Sequence, residues 1–171
     1  MIIHSNLKKS QRNRENWHYK EEMKMAKHFI VTTSKMAGTI NDAFIDVTLK
    51  ASTDIDNGTI VNADFGKGTV TLATDETKEM FLVCTPEHAR YNGETLEEFY
   101  NKQGDKVRVM KLMVGDEFGT NAIEGGVSGV EVGTKLQVTT GGKFTSGEGK
   151  FVVVEKKKVG FTLVADLRYM G

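Results

Sequence analysis

From residue 28 onward, apolar and polar residues alternate with period two in short runs, the pattern of strands with one buried face. "HFIVTT" is short and β-branched. "FIDVTLKA" places Ile45, Val47, Leu49 and Ala51 on an inward face and Asp46, Thr48 and Lys50 on the outward one. "GTVTLAT" and "MFLVCT" follow, the second closed by Pro86, which has no N–H for a ladder. "KVRVMKLMV" is apolar on both faces, as a strand in the middle of a sheet must be. After Gly133 come "TKLQVTT", "GKFVVVEKKK" and "GFTLVADLRY", separated by glycines. In the last, Phe161, Leu163, Ala165, Leu167 and Tyr169 share the inward face, opposite Thr162, Val164, Asp166 and Arg168.

One segment has helical spacing instead. In "NGETLEEFYNKQG", Thr95 can cap a first turn with Glu98 reaching back, Leu96, Phe99 and Tyr100 fall at i, i+3 and i+4, and Gly104 stops the run. The pattern predicts a mainly β protein with one short helix near residues 95–102, its antiparallel sheets forming a sandwich or small barrels. Three parts are expected: a basic arm over residues 1–27, a β-rich region over 28–114, and a small barrel-like region over 129–171. "GTNAIEGGVSG" is the linker between the last two.

The stretch "STDIDNGTIVNADF", residues 52–65, offers a choice between chemistry and architecture. A helix-loop-helix calcium loop counted from Asp54 has Asp56 at position 3, but Gly58 at 5, Thr59 at 6 and Phe65 at 12, where an oxygen ligand, Gly and Glu are needed. The flanks also lack helical patterning. A three-residue loop, Asp56-Asn57-Gly58, with Gly58 left-handed, gives a hairpin that sets Leu49 against Phe65, Ala51 against Ala63 and Thr53 against Val61. That register keeps both faces consistent, so the sequence predicts a turn.

Composition narrows the class. The 171 residues are 39% hydrophobic with one Pro and 18 Gly, enough for a modest core rich in tight turns. Cys84, the single cysteine, can form no internal disulfide. No apolar run approaches the roughly 20 residues of a membrane helix, and no secretory signal pattern is present, which gives the expectation of a soluble, non-exported protein. The net charge of zero conceals an asymmetry: residues 1–27 carry seven basic residues against three glutamates, a net +4 that leaves −4 for the remainder. Within this arm Arg12, Arg14, Trp17 and Tyr19 are the candidate partner-binding residues, able to order on a surface that the arm meets. "KEEMKMAKHFIV" also admits purine-rich codons resembling a bacterial ribosome-binding site, which predicts a start at Met25.

Candidate catalytic, cofactor and metal motifs fail on their spacing. Cys84 and His88 are four apart, but Pro86 lies between them and further ligands are missing. The thiol sits in an apolar strand, where cysteine acts as a small hydrophobe. "GGKFTSGEGK" has Phe144 and Phe151 where a phosphate-binding loop needs Gly and Ser or Thr. "VGDEFG" resembles the signature of cyclic-dinucleotide synthases without their alternating helices and strands. These readings predict no catalytic residue, cofactor or metal. A nucleic-acid-binding β-barrel is the alternative, weakened by the acidic body and by the isolation of Lys156, Lys157 and Lys158, which read as guards on a strand edge.

Several stretches taken together, "MAKHFIVTTSKMAGTINDAFIDVTLKASTDIDNGTIVNADF", "MFLVCTPE", "LEEFYNKQGDKVRVMKLMVGDEFGT" and "VGTKLQVTTGGKF", resemble the small auxiliary, or decoration, proteins of tailed-bacteriophage capsids. The likeness spans most of residues 25–171. It implies a structural, non-enzymatic virion protein, made in the host cytoplasm and seated on the outer capsid surface. The implied partner is the major capsid protein, with self-association into a trimer compatible; no membrane and no direct nucleic-acid contact are implied.

Overall fold

The computed structural model describes residues 28–36, 45–86 and 98–171. The described residues are mainly β, with twelve strands in two six-stranded sheets packed as a sandwich. In chain order these are β1 (Val31–Lys35), β2 (Ile45–Asp46), β3 (Lys50–Ala51), β4 (Ile60–Asp64), β5 (Thr69–Leu72), β6 (Phe81–Val83), β7 (Val109–Lys111), β8 (Glu117–Thr120), β9 (Lys135–Thr139), β10 (Lys143–Ser146), β11 (Phe151–Val159) and β12 (Thr162–Tyr169). A single 3-10 turn, Val127–Gly129, is the helical content among the described residues. One sheet runs β1-β8-β12-β11-β9-β10 and the other β2-β7-β6-β4-β5-β3.

Period-two patterning explains the layers. Ile60, Leu82 and Met110 of one sheet join Phe118, Leu136, Phe144, Phe151, Ala165 and Leu167 of the other in one buried cluster, the filling between the sheets. The alternate residues Val61, Phe81, Val83 and Val109 point the other way, into a second cluster closed by Leu49, Ala51, Ile55 and Val107. β6 and β7 are therefore buried on both faces, as the doubly apolar "KVRVMKLMV" predicts. The inter-sheet filling is rich in aromatic edges. Phe144 and Phe151 meet T-shaped at 4.9 Å, and Phe118 packs edge-on to Phe151 at 6.2 Å.

β1, from the N-terminal part, pairs with β8 at the edge of the sheet that holds β9 to β12, and the inter-sheet cluster draws on residues from Met36 to Leu167.

Two local expectations are corrected. "FIDVTLKA" is not one strand: the Asp46 carboxylate accepts from the Thr48 N–H at 2.6 Å, the Thr48 hydroxyl at 2.8 Å and the Leu49 N–H at 3.2 Å, a side-chain turn that cuts it into β2 and β3. The Thr48 N–H, chief among these donors, holds the carboxyl below its ordinary range. Ile45 and Val47, expected inward, are exposed, while Leu49 and Ala51 are buried. The helix expected near 95–102 lies outside the described residues as far as 97; from Glu98 the chain makes a turn and then extends, with Asn101 bridged to Ile55 in both backbone directions at 2.8 Å.

Candidate functional site

The Asp56-Asn57-Gly58 segment is a turn, and Gly58 has φ 78°, the left-handed conformation that its sequence position predicts. A Cβ there would also collide with Thr120 Oγ1 and the Ile30 carbonyl. The expected hairpin around this turn is absent, however. β3 pairs in parallel with β5, Ala51 opposite Val70, and β5 pairs antiparallel with β4, Ala63 opposite Val70, so β5 stands between the two expected partners. Both edges of the Leu49–Ser52 segment are taken: Lys50 and Ser52 donate to the carbonyls of Gly68 and Val70, Ala51 donates to Asp105 O, and Leu49 O accepts from Val107. Phe65, expected opposite Leu49, lies in the β4–β5 turn, half exposed, with its edge on Phe81.

Instead of capping a hairpin, the turn is a buried junction. The Asn57 side chain, 1% exposed, copies a strand residue: its Nδ2 donates to Thr85 O at 2.9 Å and its Oδ1 accepts from Thr85 N at 3.0 Å. Thr120 Oγ1 donates to Gly58 O at 3.1 Å, which ties the turn to β8 in the opposite sheet. Asn57→Ala is expected to strand both Thr85 groups and cost about 2–3 kcal/mol. A urea titration should show a lower midpoint at unchanged slope.

Above the junction opens a cleft of about 590 Å³, lined by His28, Phe29, Asp54, Asp56, Tyr100 and Lys143 among others. His28 Nδ1 lies 2.7 Å from Asp56 Oδ1, and its ring stacks on Tyr100 at 4.4 Å and 17°. Lys143 Nζ sits 5.2 Å above the Phe29 ring. Asp54 Oδ1 accepts from the Gln103 N–H at 2.9 Å. Both carboxylates considered as calcium ligands thus have one oxygen engaged by the protein. Among the described residues no group of three or more His, Cys, Asp and Glu is placed to hold a metal ion. The His28–Asp56–Tyr100 stack fastens three chain segments to one another, an arrangement that the scattered histidines of the sequence did not signal.

Cys84 is buried in the inter-sheet cluster; burial pushes its thiol up to about 11, with the Arg108 charge pulling weakly the other way. At neutral pH it is protonated and a poor nucleophile. His88, with which it was spaced, and Arg12, Arg14, Trp17 and Tyr19 of the basic arm lie outside the described residues.

The surface is more informative. On the outer face of the β1-containing sheet, Asp166 is 1% exposed and receives Lys157 Nζ at 2.7 Å and Lys35 Nζ at 3.0 Å, while Arg168 holds Glu117 at 2.6 Å. Lys156 reaches Val130 O at 2.7 Å and Glu131 at 3.5 Å. Two lysines of the Lys156–Lys158 run are thereby engaged within the protein, on a stretch of β11 beyond its pairing with β9 at Phe151 and Val152. Exposed apolar residues gather where the β7–β8 turn meets the end of β12: Met113, Val114 and Met170 are 53%, 72% and 55% exposed. Gly115 N–H donates to Tyr169 O at 2.8 Å, and a Cβ at Gly171 would meet the Val114 side chain, so the β7–β8 turn and the end of β12 lie side by side.

A two-sheet sandwich of this kind places the protein in the class of mainly β, sandwich-like folds. The family model of the YonC prophage protein matches residues 25–165, and the chain belongs to that family. It is 40% identical over 62 residues to the SPbeta prophage-derived uncharacterized protein YonC of Bacillus subtilis (strain 168), an alignment covering 34% of this chain and 34% of that protein. The match thus spans about a third of the relative's length. No solved structure matches the chain. The protein is phage-related and β-rich, and no helix among the described residues is long and apolar enough to cross a membrane.

Proposed function

We propose that this protein is a non-enzymatic structural component of the virion that binds the outer surface of the phage capsid through the major capsid protein. The observation that carries the reading is the apolar patch of Met113, Val114 and Met170, displayed at one end of a sandwich whose other large side chains mostly fill its two cores. Contiguous exposed apolar surface marks contact with another macromolecule. Membership of a prophage family, together with the resemblance of most of residues 25–171 to capsid auxiliary proteins, supports reading the capsid as that partner. A binder that recognises only the expanded, assembled lattice stabilises it by mass action against the pressure of packed DNA. Saturable co-sedimentation with expanded heads, and its absence with procapsids, is the expected result. Val114→Asp should weaken that binding at least about tenfold, since it puts a charge where apolar area is to be buried. Head binding unchanged in the Val114→Asp protein would remove the patch from the interface.

The nucleic-acid reading draws less support from the geometry, because Lys35, Lys156, Lys157 and Arg168 are committed to carboxylates of the same chain. In that reading, oligonucleotide affinity would fall steeply with salt.

A further inference from the structure

Phe118, Phe144 and Phe151 fill the space between the sheets, and Phe161, in the two-residue loop between Val159 and Thr162, is 99% exposed. Phe29 and Tyr100 do neither. Each is half-buried and lines the cleft of about 590 Å³ above the Asp56-Asn57-Gly58 turn. A concavity of that volume is the size of a small-molecule site.

One set of bonds holds the polar groups of the cleft in place, and another set is left open. The Gln103 N–H fixes Asp54 Oδ1 at 2.9 Å, and His28 Nδ1 lies 2.7 Å from Asp56 Oδ1; Oδ2 of each carboxylate has no hydrogen-bond partner among the described residues. The hydroxyls of Tyr100 and Thr140 and the Lys143 ammonium likewise have none there. The loop that carries Thr140 is anchored by Gly142, whose N–H donates to Ala73 O and whose carbonyl accepts from the Ile60 N–H. The walls are thus preorganised, and a ligand does not have to order them on entry. They offer two carboxylate acceptors and three donors beside the apolar surface of Phe29 and Leu72.

That inventory selects a ligand by its chemistry. An apolar molecule would bury two carboxylates without partners, which is costly. An anion would be repelled by the same two groups. No group of three or more His, Cys, Asp and Glu is placed to hold a metal ion among the described residues. An organic cation finds the Phe29 ring already met by the Lys143 ammonium at 5.2 Å, and Tyr100 already stacked on His28. A sugar ring answers the whole set, with adjacent hydroxyls that each donate and accept, and with C–H faces that lie against aromatic rings. We propose that the cleft binds a neutral saccharide, Asp54 and Asp56 accepting from its hydroxyls and Tyr100, Thr140 and Lys143 donating to its oxygens. The cleft lies at the Thr120 end of β8, where Thr120 Oγ1 donates to Gly58 O, whereas the turn of Met113 and Val114 precedes Glu117 at the other end. The site is therefore separate from the apolar patch, and the proposal does not depend on the capsid reading.

The test uses the full chain alone, with no phage heads present. Saturation-transfer NMR against maltotriose, cellotriose, mannotriose and the trimer of N-acetylglucosamine should show at least one of them bound. Calorimetry should then give saturable binding whose affinity hardly changes from low to high salt. Asp54→Ala should weaken that binding at least about tenfold and Tyr100→Phe about three- to tenfold, the losses of a charged and of a neutral hydrogen bond. Tyr100→Phe keeps its ring against His28, so its melting temperature should match that of the unchanged protein. Failure of all these sugars to bind would overturn the proposal, as would binding left intact in both variants. Tri-arginine bound in their place, with an affinity that falls with salt, would make the cleft a cation site and overturn it equally. Co-sedimentation with heads reports on the apolar patch, so neither experiment decides the other.

Discussion

Gly142→Ala is expected to destabilise the protein by about 4 kcal/mol or more, the sum of a left-handed backbone imposed on an L-residue and of buried backbone groups pushed out of hydrogen bonds. Gly142 ends the three-residue loop between β9 and β10 at φ 68°, and it is buried. Its N–H donates to Ala73 O at 2.9 Å, and its carbonyl accepts from Ile60 N–H at 2.8 Å, a direct backbone tie from one sheet to the other. A Cβ would overlap the Ile60 carbonyl. The neighbouring Gly141, at φ 90°, has open space where a Cβ would go. Gly141→Ala should therefore cost only the conformational part, about 1–2 kcal/mol. Thermal melts of the two variants should differ by roughly 5–10 degrees, taking about 2–4 degrees per kcal/mol for a domain of this size. Equal melting temperatures would show that the tie between the sheets contributes little.

The second large effect concerns charge. Replacing Lys35 and Lys157 together by Met strands the Asp166 carboxylate, 1% exposed, without a cation, and is expected to cost about 3–5 kcal/mol at neutral pH. Burial by itself pushes that carboxyl up, but the hydrogen bonds and charges of Lys157 and Lys35 outweigh it and hold the group below its ordinary range. Because the folded value is depressed, the unchanged protein has this stabilisation in full above the unfolded aspartate value of about 3.9 and loses it as pH falls through the folded value. In the double variant only burial remains and the folded value is raised, so the sign inverts: that group's contribution grows as pH falls through its raised value. Urea unfolding of both proteins from pH 7 to pH 3 should show the stability gap closing towards acid. A gap that stays constant over that range would mean that the Asp166 charge is not what the lysines stabilise.

The same carboxylate illustrates how far the pattern of residues reaches. Asp166 falls on the outward face by alternation, and it does lie opposite Ala165 and Leu167, but the sequence gives no hint that β1 brings Lys35 over it, since that pairing joins residues 131 apart. The basic run at 156–158 was legible as an edge feature, for its lysines lie on a stretch of β11 that pairs with β12 on one side and lies beyond the pairing with β9 on the other; the carboxylates that engage two of them were not. In the candidate site, Asp56, Asn57 and Gly58 were legible as a turn from their own chemistry. The stack of His28 on Tyr100, which completes the cleft above them, joins positions 72 apart and leaves no local signature.

What the sequence determined by itself is whatever depends on a residue and its near neighbours: period-two strands, the doubly buried character of "KVRVMKLMV", the left-handed glycine at position 58, the shared face of Leu163, Ala165 and Leu167. Only the tertiary structure decided which strands meet. The alternation of "FIDVTLKA" and "TIVNADF" is equally satisfied by a hairpin or by a strand inserted between them, because burying a face fixes the parity of a strand but not its partner. β5 takes that place through a tight local turn with β4, and both edges of Leu49–Ser52 are then filled from elsewhere. Phe161 obeys the same limit. Its parity is that of the core, but parity says nothing about where the core ends, and the sheet stops before the ring is reached.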